Sequence, residues 1–185
     1  MHDEEQVRRY ILSKRPQGVI IDTNILLLLL IGNYKADFIK NFSLFKDNGQ
    51  NYTIDDFELL KRLINYFGNK LVITPQILAE ISNLSITKNK GEFKNEAMIY
   101  LQSVVNLLRE AKEHHQQVEC LWGMQLEVLG RFGFTDMTIY ELAKGSGMPV
   151  LTDEFDLHIY LEEKGIPNIK FQNIKNSQLG FTLIP

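Results

Sequence analysis

The chain is expected to fold as an α/β protein, a three-layer α/β/α sandwich around a central, mainly parallel sheet, and two patterns carry that expectation. Four short runs have strand character: Val19-Ile20-Ile21, Leu71-Val72-Ile73-Thr74, Pro149-Val150-Leu151-Thr152 and Asn168-Ile169-Lys170-Phe171. Between them lie longer segments whose apolar residues recur at helical spacing. Strands separated by helices need crossover connections, and these lay helices over both faces of a doubly wound sheet.

The elements follow in order. Gln6 to Lys14 reads as a short polar helix, and Pro16-Gln17-Gly18 turns the chain into the first strand. Asn24 is placed to cap a buried helix that begins with the wholly apolar run Ile25 to Ile31 and ends or bends at Gly32-Asn33. Phe38, Ile39, Phe42 and Phe45 make a helical stripe over Lys35 to Lys46. Thr53 to Tyr66 opens on a polar cap with two aspartates, continues with Phe57, Leu60, Leu63, Ile64 and Phe67, and stops at Gly68-Asn69. After the second strand, Pro75 begins a helix with Ile77, Leu78, Ile81 and Leu84 on its apolar side and Glu80 interrupting it. Ser85 to Asn95 reads as an exposed loop, and a long helix follows from about Phe93 to His114. Val118 to Trp122 fits a strand or a turn. Helices at Met124 to Phe132, Asp136 to Lys144 and Phe155 to Lys164 alternate with the last two strands.

At 185 residues and 44% hydrophobic composition, the chain suits a single domain (1–185) with one sizeable core and an added helical segment at about 33–69. A net charge of -3 gives no global basic signature, so nucleic-acid contact has to come from local patches and from metal that offsets acidic groups. Cys120 is the single cysteine, which excludes an intramolecular disulfide and a cysteine-based zinc site. The opening Met1-His2-Asp3-Glu4-Glu5 is unlike a signal peptide, and Ile25 to Ile31 is far shorter than the roughly 20 residues of a membrane helix. A cytoplasmic protein without membrane contact is expected.

Four separated segments each deliver a carboxylate: Asp22 after the first strand, Glu80 about a turn and a half beyond Pro75, Asp136 in Gly133-Phe134-Thr135-Asp136, and Asp153 after Pro149 to Thr152. In an open parallel sheet, ligands bind beyond the carboxyl ends of the strands, so Asp22 and Asp153 are expected to share one cleft. Carboxylates packed there repel one another unless a cation such as Mg²⁺ or Mn²⁺ sits among them. Taken singly, each is also explained as a helix cap, a first-turn residue or an exposed glutamate. Thr23, Asn24, Thr135 and Thr152 stand beside the acids, as caps or as groups that orient a carboxylate or hold a water.

The segments Asp22-Thr23-Asn24-Ile25-Leu26, Thr74-Pro75 with Glu80, Gly133 to Ala143 and Pro149 to Leu157 resemble the four signature segments of PIN domains, a family of metal-dependent nucleases. The resemblance runs from about Gly18 to Ile174. It implies that Asp22, Glu80, Asp136 and Asp153 are the catalytic, metal-binding acids and that Asp156 fills an accessory metal position. Glu154 is expected to face away. The implied chemistry is metal-assisted hydrolysis of RNA phosphodiester bonds, with one or two Mg²⁺ or Mn²⁺ ions, leaving a 5′-phosphate and a 3′-hydroxyl. Small proteins of this family include ribonuclease toxins of the VapC kind, which pair as homodimers and are held by a cognate antitoxin. The longer stretch from Asn33 to Asn69 departs from those compact toxins and reads as a partner surface, a substrate clamp or added core. A housekeeping RNA-processing nuclease and a non-catalytic binding module of the same fold are the alternatives.

Other chemistries fit less well. A haloacid-dehalogenase phosphatase needs a second aspartate where Asn24 stands, and a metal-free ribonuclease needs paired imidazoles that His114, His115 and His158 do not supply. Gly145-Ser146-Gly147 lacks the spacing of a phosphate-cradling loop or a nucleophile elbow. Lys88, Lys90 and Lys94 are candidates for tracking a nucleic-acid backbone near the cleft, and Arg8, Arg9, Lys14 and Arg15 form a second basic cluster.

Overall fold

A computed structural model describes residues 13, 17–42, 45, 49, 51–87 and 97–176. Its five strands are β1 (Val19–Ile21), β2 (Leu71–Ile73), β3 (Lys112–Glu113), β4 (Val150–Thr152) and β5 (Asn168–Lys170). All pair in parallel, in the order β3-β2-β1-β4-β5, with Val19 beside Leu71 and Ile20 beside Val150. Seven α-helices occur among the described residues: α1 (Thr23–Lys35), α2 (Ile54–Tyr66), α3 (Pro75–Thr87), α4 (Ala97–Leu108), α5 (Leu126–Ser146), α6 (Phe155–Glu163) and α7 (Phe171–Asn176). This is an α/β architecture consistent with a three-layer sandwich. The chain leaves β1 outward through β2 to β3, then returns to the other flank of β1 for β4 and β5. The border between β1 and β4 is therefore the point where strand order reverses, and their carboxyl ends open the crevice that such sheets use for ligands.

The central strands β1 and β4 are fully buried, which is why they read as unbroken apolar runs rather than alternating ones. Helix α1 is buried on every side from Ile25 to Ile31 and packs against α2, α3 and α4. It continues through Gly32 to Lys35 instead of stopping at Gly32-Asn33. Gly32 serves close approach: a Cβ there would stand 2.3 Å from the Phe57 ring of α2. Its N-cap is Asp22, not Asn24, with the Asp22 carboxylate accepting from the Thr23 N–H.

Two further elements differ from expectation. Within the stripe expected as a helix over Lys35 to Lys46, Ala36–Asn41 is a 3₁₀ segment, Phe42 is extended and Phe45 is helical, and the ring of Phe45 meets those of Phe42 and Tyr52 edge to face. The helix expected to reach His114 ends at Leu108, because the backbone of Lys112 and Glu113 pairs with β2 and the His114 N–H bonds Ile73 O at 2.9 Å. Val118–Leu121 is a 3₁₀ turn. As expected, two helical stretches meet at Gly133; they run on from one another as α5, broken at Gly133, whose φ 74° and ψ −174° are not helical. That conformation belongs essentially to glycine. Ile39, Phe42, Phe45, Tyr52, Phe57, Leu60 and Leu63 are all buried, so much of the added 33–69 segment is core. Among the described residues no helix is long and apolar enough to cross a membrane. Apart from Ser13, the expected helix at Gln6 to Lys14 lies outside the described residues, as do Lys88, Lys90 and Lys94 and the cluster Arg8, Arg9, Lys14 and Arg15.

Candidate functional site

A polar cleft of about 280 Å³ opens at the carboxyl ends of β1 and β4, lined by Asp22, Thr23, Asn24, Glu80, Phe132, Gly133, Phe134, Thr135, Asp136 and Glu154. Four parts of the chain meet there. The end of β1 brings Asp22, which is only 2% exposed. One of its oxygens accepts from the Thr23 N–H at 2.6 Å and the other from the Thr152 hydroxyl at 2.7 Å, so helix capping and a strand-to-strand bond fix the same carboxylate. The Thr152 hydroxyl also accepts from the Glu154 N–H at 3.0 Å, which ties the start of α6 to Asp22. Helix α3 brings Glu80, whose Oε2 accepts from the Thr23 hydroxyl at 2.9 Å. Two threonine hydroxyls thus each donate to a cleft carboxylate.

Asp136 comes from α5, three residues beyond the Gly133 kink that redirects the helix past the cleft. Thr135 lines the cleft but lies inside the helix and is not its cap; its carbonyl accepts from the Thr138 hydroxyl at 2.7 Å. Asn24 lines the cleft from the first turn of α1.

Asp153 and Glu154 exchange the directions expected of them. Asp153 is not among the cleft residues. Its Oδ2 accepts from the Tyr52 hydroxyl and its Oδ1 from the Gln172 N–H, each at 2.8 Å, so it bonds the added segment and α7 instead. Glu154, expected to face away, lines the cleft with Asp22, Glu80 and Asp136. One local and one distant contact cause this: the hydroxyl of buried Thr152 fixes the Glu154 backbone, while ring contacts of Tyr52 with Phe45 and Phe171 hold the Tyr52 hydroxyl against Asp153. Asp156 lies outside the cleft and pairs with Arg131 at 3.1 Å on the surface. His158, at the buried face of α6, bonds the Asn168 side chain through Nδ1 and stands 3.7 Å from Glu162.

The electrostatics record the crowding. Burial pushes the Asp136 carboxyl up to about 9, and the charges of Asp22, Glu154 and Glu80 add to it without an offsetting hydrogen bond. Burial likewise raises Asp22 to about 7. Its hydrogen bonds from Thr152 and the Thr23 N–H pull it down, while Glu154 and Glu80 push it up. Glu154 is raised by burial and then by Glu80 and Asp156. Removal from water and mutual repulsion are what a bound cation reverses. The donors are hard carboxylate oxygens with neighbouring hydroxyl and amide groups, a set that suits Mg²⁺ or Mn²⁺. They ring the cleft, and among the described residues no three acidic, imidazole or thiol side chains are yet drawn together as a ready ligand set.

Comparison with family profiles, with curated proteins and with solved structures finds no significant match to this chain.

Proposed function

We propose that this chain is a metal-dependent endoribonuclease of the PIN type, hydrolysing RNA phosphodiester bonds at the cleft between β1 and β4. The observation that carries the reading is the convergence of Asp22, Glu80, Asp136 and Glu154, from four separate segments, on one polar cleft at the sheet's switch point. The raised carboxyl pKa values of Asp22, Asp136 and Glu154 support it, because perturbed groups in a cleft mark functional sites.

In this reading, Asp22, Glu80, Asp136 and Glu154 would hold Mg²⁺ or Mn²⁺, and Asp153 supports the site from behind through Tyr52 and Gln172. A bound divalent ion supplies neutralisation of phosphate charge and acidification of a water. The protein supplies position. Thr152 and the Thr23 N–H fix both oxygens of Asp22, and the Thr23 hydroxyl fixes Glu80, so these two carboxylates enter the reaction already oriented. The Asp136 and Glu154 carboxylates have no such restraint and are the ones left to adjust to a ligand. Phe132 and Phe134 line the cleft on the α5 side.

The test is incubation of wild-type protein with an end-labelled single-stranded RNA in Mn²⁺ and in chelator. Fragments with 5′-phosphate and 3′-hydroxyl ends, formed only with metal, are expected. RNA left intact at micromolar protein, or cleavage that survives the chelator, rejects the proposal.

A further inference from the structure

A second groove, of about 490 Å³, adjoins the acidic cleft and shares Asn24 and Glu154 with it; the rest of its wall includes Asp153, Phe155, Lys170 and Gln172. Phe155, the first residue of α6, leaves 62% of its surface in water. An exposed phenylalanine contributes little to the core, and this one carries a charge: the Lys170 ammonium, at the end of β5, stands over one face of the ring, 4.5 Å from its centre. Lys170 makes no ion pair among the described residues, although Asp153 and Glu154 line the same groove. On the cleft's other side, Phe134 is 63% exposed. A largely exposed ring carrying a cation that makes no ion pair is a pairing that can take an unpaired nucleotide, the ring receiving the base by stacking as the ammonium shifts from the ring to the phosphate.

We infer that Phe155 and Lys170 form a binding subsite for an unpaired nucleotide next to the phosphate held in the acidic cleft, so that the protein engages single-stranded nucleic acid in preference to duplex. The inference rests on the nuclease reading, and it adds to that reading the residues that choose the strand. Three features carry it. The groove is continuous with the cleft through Asn24 and Glu154, so a strand leaving the cleft on the β4 side enters it. A base inside a duplex has both faces covered and cannot stack on Phe155, whereas any unpaired base can, which gives selection for strandedness without selection for sequence. The subsite is also rigidly placed, since the backbone of β5 is paired to β4 and the Glu154 N–H is bound to Thr152.

The experiment measures binding of a fluorescent single-stranded RNA and of its duplex by anisotropy in Ca²⁺, alongside cleavage in Mn²⁺, for wild type, Phe155→Ala, Phe155→Trp and Lys170→Gln. Loss of one stacked base lowers affinity by about 5- to 150-fold. Phe155→Ala is expected to weaken single-strand binding within that range and to leave duplex binding unchanged, while Phe155→Trp retains it. Lys170→Gln is expected to reduce the salt dependence of binding by about one phosphate contact. Because Phe155 is largely exposed, the variants should melt with wild type. Single-strand binding by Phe155→Ala equal to wild type, with wild-type cleavage intact, overturns the subsite and leaves the nuclease reading standing. A wild type that neither binds nor cleaves RNA overturns both.

Discussion

Replacing Asp136 with Asn should stabilise the metal-free protein, and the gain should depend on pH. Asp136 is buried, accepts no hydrogen bond that would favour its charge, and faces three other carboxylates, so its pKa rises from 3.8 to about 9. A carboxyl whose folded value exceeds its unfolded value binds more protons when folded. Its contribution is therefore full below about pH 4 and is lost as pH rises toward 9. Each pH unit over which ionisation is deferred costs about 1.4 kcal/mol, which between pH 4 and pH 7 sets a ceiling on the order of 4 kcal/mol. Water and side-chain movement in an open cleft screen much of this, leaving an expected gain of about 1–2 kcal/mol for Asp136→Asn at pH 7. For a chain of this length that is a rise in Tm of about 2–8 °C. The assay is thermal unfolding of wild type and variant in chelator at pH 4, 7 and 8.5, repeated at pH 7 with Mn²⁺. The variant should melt with wild type at pH 4 and above it at pH 7 and 8.5. Wild type should gain more from Mn²⁺, about 2.7 kcal/mol at a hundredfold excess over Kd. A variant less stable than wild type at pH 7, with no response of wild type to Mn²⁺, would refute the reasoning and leave Asp136 a first-turn residue of an ordinary helix.

Other perturbations separate structure from chemistry. Asp153→Asn should cost about 1–2 kcal/mol of stability, since it disturbs the bonds from Tyr52 and Gln172, while most cleavage activity survives in the folded fraction; denaturant unfolding and activity assays report the two. Glu154→Gln should do the reverse, preserving stability while weakening Mn²⁺ binding and cleavage at least tenfold, and an unchanged cleavage rate would remove Glu154 from the site. Gly133→Ala meets no neighbour within 4 Å, so its expected loss of about 1–3 kcal/mol comes from backbone strain alone, and an unaltered denaturation midpoint would contradict the kink.

Much of this architecture was readable from the residues, and the exceptions have physical reasons. Strands β1, β2 and β4 lie inside the sheet, and their Val and Ile runs announce it. Strand β3 does not: its two residues are exposed Lys112 and Glu113, held by backbone pairing alone, and no side-chain pattern reports backbone pairing at an edge. Asp22, Glu80 and Asp136 were legible because each follows a strand or starts a helix turn whose direction is set locally. The turn after β4 was not. Whether Asp153 or Glu154 enters the cleft depends on Tyr52, 101 residues away from Asp153, and on which backbone N–H the Thr152 hydroxyl captures. The stripe from Phe38 to Phe45 was only partly legible, because spacings of three fit the 3₁₀ turn at Ala36–Asn41 as well as an α-helix, and Phe42 is extended before the chain is helical again at Phe45.

The central claim is that the carboxylates around the β1–β4 cleft act together, through a divalent ion, to cleave RNA. The most direct measurement is the single-turnover cleavage rate of a single-stranded RNA in saturating Mn²⁺ for wild type and Asp136→Asn, with both proteins shown to be folded by their melting curves. The account predicts metal-dependent cleavage by wild type and a loss of at least a hundredfold in a variant that is folded and, without metal, more stable than its parent. Cleavage by Asp136→Asn at the wild-type rate would contradict it.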